Sequence, residues 1–171
     1  MNKLFYILLC VGIVNFAHSN ENCAHTYRSF KCVKFISNYD GDTITVSIPG
    51  QHELFGKEVS IRLNGIDTPE KRTQNKCEKD LSQIATDYLR YRILKSRSGL
   101  IELRDIQRGK YFRIVAEVWV NGRNLNRAMV RRNLAVEYYG DTKRTVDWCK
   151  FKPDIPNDMY LFLSRFNKST N

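Results

Sequence analysis

The chain has 171 residues, with 28 Lys and Arg against 18 Asp and Glu, a formal charge of +10. That length suits one domain with an ordinary core plus extensions, and the surplus favours a polyanion or an anionic surface as partner, although charge of this size also serves solubility alone. Only three histidines occur and no Cys-x-x-Cys does, which argues against a zinc site and leaves little material for a histidine-based centre.

In chain order, Met1-Asn2-Lys3 gives a short positive start, Leu4 to Phe16 is almost wholly apolar, and Ala17-His18-Ser19 offers small residues where a signal peptidase reads. Residues 1–19 read as a cleaved signal peptide, and the protein as secreted or periplasmic. The apolar stretch is short for a membrane span and no other segment approaches one, so no membrane anchor is expected after cleavage. A lipoprotein anchor at Cys10 is the alternative, with Ile7-Leu8-Leu9 a poor lipobox for it. Cleavage removes one basic residue, Lys3, and leaves Cys23, Cys32, Cys77 and Cys149. Four exported cysteines suggest two disulfides in one of three pairings. The expected pairing is Cys23–Cys32, closing an N-terminal extension over 20–31, with Cys77–Cys149 tying a mid-chain loop to the C-terminal segment.

Cys32 to Ser37 and Thr43 to Ile48 alternate apolar and polar residues around Asn38-Tyr39-Asp40-Gly41, predicting two strands and a turn. Val59 to Leu63 is a third strand, with Val59, Ile61 and Leu63 inward and Arg62 on the opposite face. Leu81, Ile84, Ala85 and Tyr88 follow helical spacing, so a helix is predicted over about Glu78 to Leu94. Leu100 to Leu103 and Ile114 to Val120 are two further strands, linked by the basic loop Gln107-Arg108-Gly109-Lys110. Asn121-Gly122 is a turn, Leu125 to Asn133 a short helix, and Met159 to Phe166 a final helix or an extended tail. The fold class is α+β: a five-stranded OB-type β-barrel with two to three short helices packed on it. The barrel domain covers 32–150, and 151–171 reads as a C-terminal tail.

Two segments carry the chemistry. Alone, Asp40-Gly41-Asp42 reads as a type I′ hairpin turn, and Asp67-Thr68-Pro69-Glu70 as a capped helical turn with Pro69 at its first position. Arg62 and Arg113 alone read as solvated strand arginines. Together they gather carboxylates and guanidiniums at strand edges of a basic protein. Clustered carboxylates repel one another and point to a hard divalent cation. A cation, arginines and positive charge point to phosphodiester chemistry.

These residues, in order and spacing, resemble the thermonuclease (staphylococcal nuclease-like) family. The resemblance runs from about Val33 to Tyr139. It includes Asp40-Gly41-Asp42-Thr43, Arg62 with Asp67-Thr68-Pro69-Glu70, Lys110-Tyr111-x-Arg113, and Leu125-Asn126-x-Ala128-Met129-Val130-Arg131 followed by Leu134-Ala135. It implies an OB-fold endonuclease that hydrolyses DNA and RNA with Ca2+, preferring single strands and acting as a monomer. On the matching positions Asp42 and Asp67 would bind the cation through carboxylates, and Thr68 through its backbone carbonyl. Glu70 would activate or orient the attacking water, and Arg62 and Arg113 would hold the scissile phosphate. Lys110, Tyr111 and Tyr139 would line the nucleotide pocket. One departure is Phe112, where the type member has glycine before the second arginine. The alternative is a non-catalytic OB module that grips single strands through aromatic stacking; the acidic set of Asp42, Asp67 and Glu70 separates the two, since a pure binder gains nothing from carboxylates beside phosphate.

Overall fold

The computed structural model describes residues 23–109, 113–140, 142 and 145–169. The signal-peptide reading of 1–19 and the readings on Lys110, Tyr111 and Phe112 lie outside the described residues. The strands are β1 (Ser29–Asn38), β2 (Thr43–Ser47), β3 (Val59–Leu63), β4 (Ile66–Asp67), β5 (Leu100–Arg108), β6 (Ile114–Val120), β7 (Arg123–Asn124) and β8 (Val136–Glu137). The helices are α1 (Glu53–Gly56), α2 (Lys76–Leu94), α3 (Leu125–Arg131) and α4 (Met159–Ser169), with a short 3₁₀ turn at Trp148–Lys150.

Antiparallel pairing runs β3-β2-β1-β5-β6, and β3 closes the ring by pairing in parallel with β6. The five strands thus form the closed OB-type barrel, with α2 inserted between the third and fourth of them. Alternation does the sorting. Ile44 and Val46 of β2, Ile61 and Leu63 of β3, Leu103 of β5, and Ala116 and Val118 of β6 point inward and are buried. Their neighbours, Arg62 among them, point outward.

Helix α2 begins two residues before the predicted start, because Asn75 caps it by accepting from the Glu78 amide. Its Leu81, Ala85, Tyr88 and Leu89 seal the barrel, a spacing of one helical face. Both expected disulfides are present: Cys23–Cys32, and Cys77–Cys149, which fastens the first turn of α2 to the 3₁₀ turn. The alternatives for Met159 to Phe166 resolve to helix. Met159 is fully buried and Phe162 meets the Tyr91 ring edge-on at 5.4 Å, so α4 packs on α2. Asn121 and Gly122 both have positive φ and turn the chain from β6 into β7, as expected of Asn-Gly.

Among the described residues, no helix is long and apolar enough to cross a membrane.

Candidate active site

Strand pairing brings the site together. Thr43 of β2 lies opposite Arg62 of β3, so Asp42, at the mouth of β2, sits beside the outward guanidinium. The Leu63 amide donates to the Asp42 carbonyl at 2.8 Å and fixes that corner. Four residues after Arg62, β4 carries Asp67 back along the same edge, where it pairs with Val136 of β8.

Gly41 is not the second residue of a type I′ turn, because its φ is not positive. The reason for glycine is contact. A Cβ there would lie 2.9 Å from Ala85 Cβ of α2 and 3.0 Å from Thr68 Cγ2. The Asp40–Asp42 corner therefore presses directly on the helix and on the Thr68 segment. The corner is held by the Asp40 carboxylate, which accepts from the Asp42 amide at 3.1 Å. The capped helical turn expected at Thr68 is also absent, since Thr68 to Glu70 is irregular chain. Tertiary contact outcompetes local turn preference at both places.

Asp42, Asp67 and Thr68 are buried, at 2, 5 and 4 % exposure. Arg62 donates from Nη1 to Asp42 Oδ1 at 2.7 Å and from Nη2 to Asp67 Oδ1 at 3.3 Å. It also reaches the Ile66 carbonyl at 3.4 Å. The Thr43 hydroxyl donates to Asp42 Oδ1 at 3.0 Å. One guanidinium thus bridges two carboxylates sealed from water. Burial pushes the Asp42 carboxyl up to about 7; Arg62 and the Thr43 hydroxyl pull it down, while Asp40 and Asp67 add to the rise.

This donor set fits a hard cation, because a cation beside the Asp42 carboxyl would favour its charged form against the burial that raises it. No group of three or more His, Cys, Asp and Glu side chains converges among the described residues. A cation here would have two carboxylates and would complete its shell with backbone and water oxygens, a mixture calcium tolerates and zinc does not favour.

Glu70 stands exposed at the end of this segment. Its amide donates to Glu78 Oε1 at 3.1 Å, and the Thr73 hydroxyl donates to Glu78 Oε2 at 2.7 Å. Next to it, the Lys71 ammonium donates to the Tyr39 carbonyl and lies 5.3 Å from the centre of the Tyr39 ring. The loop is thus tied on one side to α2 and on the other to the Asp40 corner. Sequence reasoning missed Glu78 and Lys71. The spacing Asn75-x-x-Glu78 at a helix start could have drawn attention to Glu78; nothing local marks Lys71.

Arg113 is exposed, one residue before β6, whose Val115 lies beside Arg62 in the parallel pair. Gly109 donates its amide to the Arg113 carbonyl at 2.8 Å, closing the loop ahead of it. Tyr139 is brought in by β8 and the Tyr138 amide, which donates to the Gly65 carbonyl at 3.0 Å. Its ring lies on Gly65, where a Cβ would approach within 2.8 Å, and Gly65 also has φ +75. A cleft of about 970 Å³ opens beside it, lined by Asp67, Val136, Tyr138, Tyr139 and Phe151 among others. Asn126 supports this edge from below. Its amide accepts from Val118 at 2.9 Å and donates to the Asn64 carbonyl at 2.8 Å.

The barrel with its acidic, arginine-bridged corner defines an OB-fold protein of the α+β class. The family described as Staphylococcal nuclease homologue matches residues 60–150, and the chain belongs to that family. The match contains Arg62, Asp67, Thr68, Glu70, Arg113 and Tyr139, while Asp42 precedes it. Among similar proteins, Probable endonuclease LCL3 of Kluyveromyces lactis is 27% identical over 132 residues, covering 74% of this chain and 45% of that protein. The Thermonuclease of Staphylococcus hyicus is 28% identical over 108 residues, 63% of this chain and 58% of that protein. The Thermonuclease of Staphylococcus intermedius is 30% identical over 124 residues, 72% of this chain and 61% of that protein. The chain spans about half the length of these curated relatives.

Proposed function

We propose that this protein is a secreted, calcium-dependent endonuclease that hydrolyses phosphodiester bonds of DNA and RNA. The observation that carries the reading is the pair of buried carboxylates, Asp42 and Asp67, bridged by Arg62 beside an aromatic cleft. The relatives named endonuclease and thermonuclease support it. So does the basic surplus, which suits a polyanionic substrate.

Asp42, Asp67 and the Thr68 carbonyl would hold the calcium ion, which when bound supplies Lewis-acid polarisation of a phosphoryl oxygen. The rest is the work of the chain. Arg62 is oriented by its contacts with Asp42, Asp67 and the Ile66 carbonyl, which engage Nη1 and Nη2, and Nε–H and the second Nη1 hydrogen are the donors that would meet phosphate oxygens. Charge builds on the equatorial oxygens as water attacks in line, so a guanidinium fixed in advance stabilises the transition state more than the ground state. Arg113 adds a second guanidinium, with the bidentate reach that lysine lacks. Glu70 takes or directs the proton of the attacking water, from a loop steadied by Glu78 and Lys71. Tyr139 offers a ring face to a base, a contact tolerant of sequence and best suited to unpaired strands.

Glu70→Gln tests the assignment. The substitution keeps size and hydrogen bonding but removes the base. Affinity for a DNA strand should stay within about twofold while the cleavage rate falls by roughly 10²–10⁴. Retained cleavage would remove Glu70 from the reaction.

A further inference from the structure

A second concave feature lies away from the carboxylates. Tyr88 and Arg92 of α2, Arg123 and Asn124 of β7, Arg131 at the end of α3, and Arg132 surround a hollow of about 260 Å³. Four guanidiniums meet there against one carboxylate, that of Asp154, which pairs with Arg132 at 2.9 Å. Arg92 and Arg132 lie over the Tyr88 ring, with their guanidinium carbons 6.0 and 5.6 Å from its centre. Arg92, Arg123 and Arg131 form no ion pair with a carboxylate among the described residues. Helix dipoles account for Arg92 in the last turn of α2 and for Arg131 in the last turn of α3, but not for Arg123.

Two buried polar atoms lie behind the same wall, closed off from the hollow. Tyr88 Oη and Asn124 Nδ2 are sealed from solvent and have no hydrogen-bond partner among the described residues. Tyr88 is fully buried and Asn124 is 8 % exposed. Converging like charges cost free energy unless something answers them. A tetrahedral dianion or a diester phosphate answers the arginines.

The hollow is also connected to the candidate active site. Tyr139 and Glu137 line both the cleft beside Asp67 and a third depression that contains Arg127 and Arg131. Arg131 in turn lines both that depression and the arginine hollow. The depression and the hollow both abut α3, and the cleft joins the depression at Glu137 and Tyr139. Glu117 and Glu137 stand in the middle one and keep it from being uniformly basic.

We infer that the Arg92–Arg123–Arg131–Arg132 hollow is a phosphate-binding subsite that takes a backbone phosphate of a strand leaving the cleft along α3. The inference rests on the nuclease reading and adds a distal anchor to it. The anchor makes binding depend on strand length, since a short oligonucleotide fills the cleft without reaching the hollow.

The test compares wild type with Arg123→Ala/Arg131→Ala, using thymidine oligonucleotides of about 4 and about 16 nucleotides in EDTA, so that nothing is cut. Both arginines are exposed, so an unchanged thermal melt is expected and certifies the fold. The variant should bind the long strand about tenfold more weakly, with the salt slope reduced by about 0.7, the value for one single-strand phosphate that is no longer neutralised. Affinity for the short strand should not change. Equal losses on both lengths, or no loss on either, would overturn the subsite. A titration with inorganic phosphate, followed through the arginine Nε–H resonances, separates the sources. Shifts at Arg92, Arg123 and Arg131 without any length effect would make the hollow a site for free anion and overturn its role in strand binding. Calcium-dependent cleavage of the short strand reads the nuclease activity separately. Its absence in wild type would refute that activity and leave the phosphate titration to judge the hollow.

Discussion

Replacing Asp42 by Asn should remove a coupling between pH and stability in the metal-free protein. Asp42 is 2 % exposed, and its burial moves the carboxyl from 3.8 to about 7. At about 1.36 kcal/mol per unit, that displacement corresponds to about 4 kcal/mol. That displacement is already net of the Arg62 guanidinium at 2.7 Å, which draws the same group toward the charged form. The folded state binds more protons at Asp42 than the unfolded state does between about pH 4 and 7. Stability from this residue is therefore fully present below pH 4 and is lost as pH rises through about 7. Asn carries no such proton. Urea unfolding in EDTA should find the two proteins similar near pH 4. At pH 8 the variant should be more stable by roughly 1–4 kcal/mol. Calcium at pH 8 should reverse the order, stabilising wild type by mass action while leaving the variant nearly unmoved. Stability differences that stay constant from pH 4 to 8 would refute the reasoning.

Cys77→Ser/Cys149→Ser opens a loop of sequence separation 72, and the chain-entropy relation gives a loss of about 4 kcal/mol; a shift in urea midpoint worth less than about 1 kcal/mol would contradict that role. Opening Cys23–Cys32, with separation 9, should cost less, about 2–3 kcal/mol on the same relation. Glu78→Ala removes the acceptor for the Glu70 amide and the Thr73 hydroxyl, so kcat should fall roughly 10- to 100-fold with KM little changed. Glu78→Gln, which keeps one acceptor oxygen, should recover part of that loss; equal effects of the two variants on KM alone would point to substrate contact instead.

Much of the fold was legible because its core is written in short alternating strands. Ile44 and Val46, or Ile61 and Leu63, fix which face is inward, and with it the outward direction of Arg62. The helix face of α2 was legible for the same reason. The turns were less so. Asp-Gly at 40–41 has strong local turn chemistry, yet Gly41 is there for the approach of Ala85 and Thr68, which no local pattern encodes. The carboxylates and arginines stood out by type and order. Their support did not, because Lys71 reaches Tyr39 across 32 positions and the Glu70 amide reaches Glu78 across 8. The arginine hollow was wholly hidden. Arg92 lies on a different element from Arg123, Arg131 and Arg132, and only the packing of α2 beside α3 and β7 collects them.

Cleavage of heat-denatured DNA in calcium, magnesium or EDTA, with Arg62→Ala and Arg113→Ala alongside wild type, addresses the nuclease assignment most directly. Cutting should require calcium, stop in EDTA, and fall by roughly 10²–10³ in each variant. Tight binding of the strand by wild type with no cutting in any metal would contradict the nuclease assignment and leave a single-strand binding module in its place.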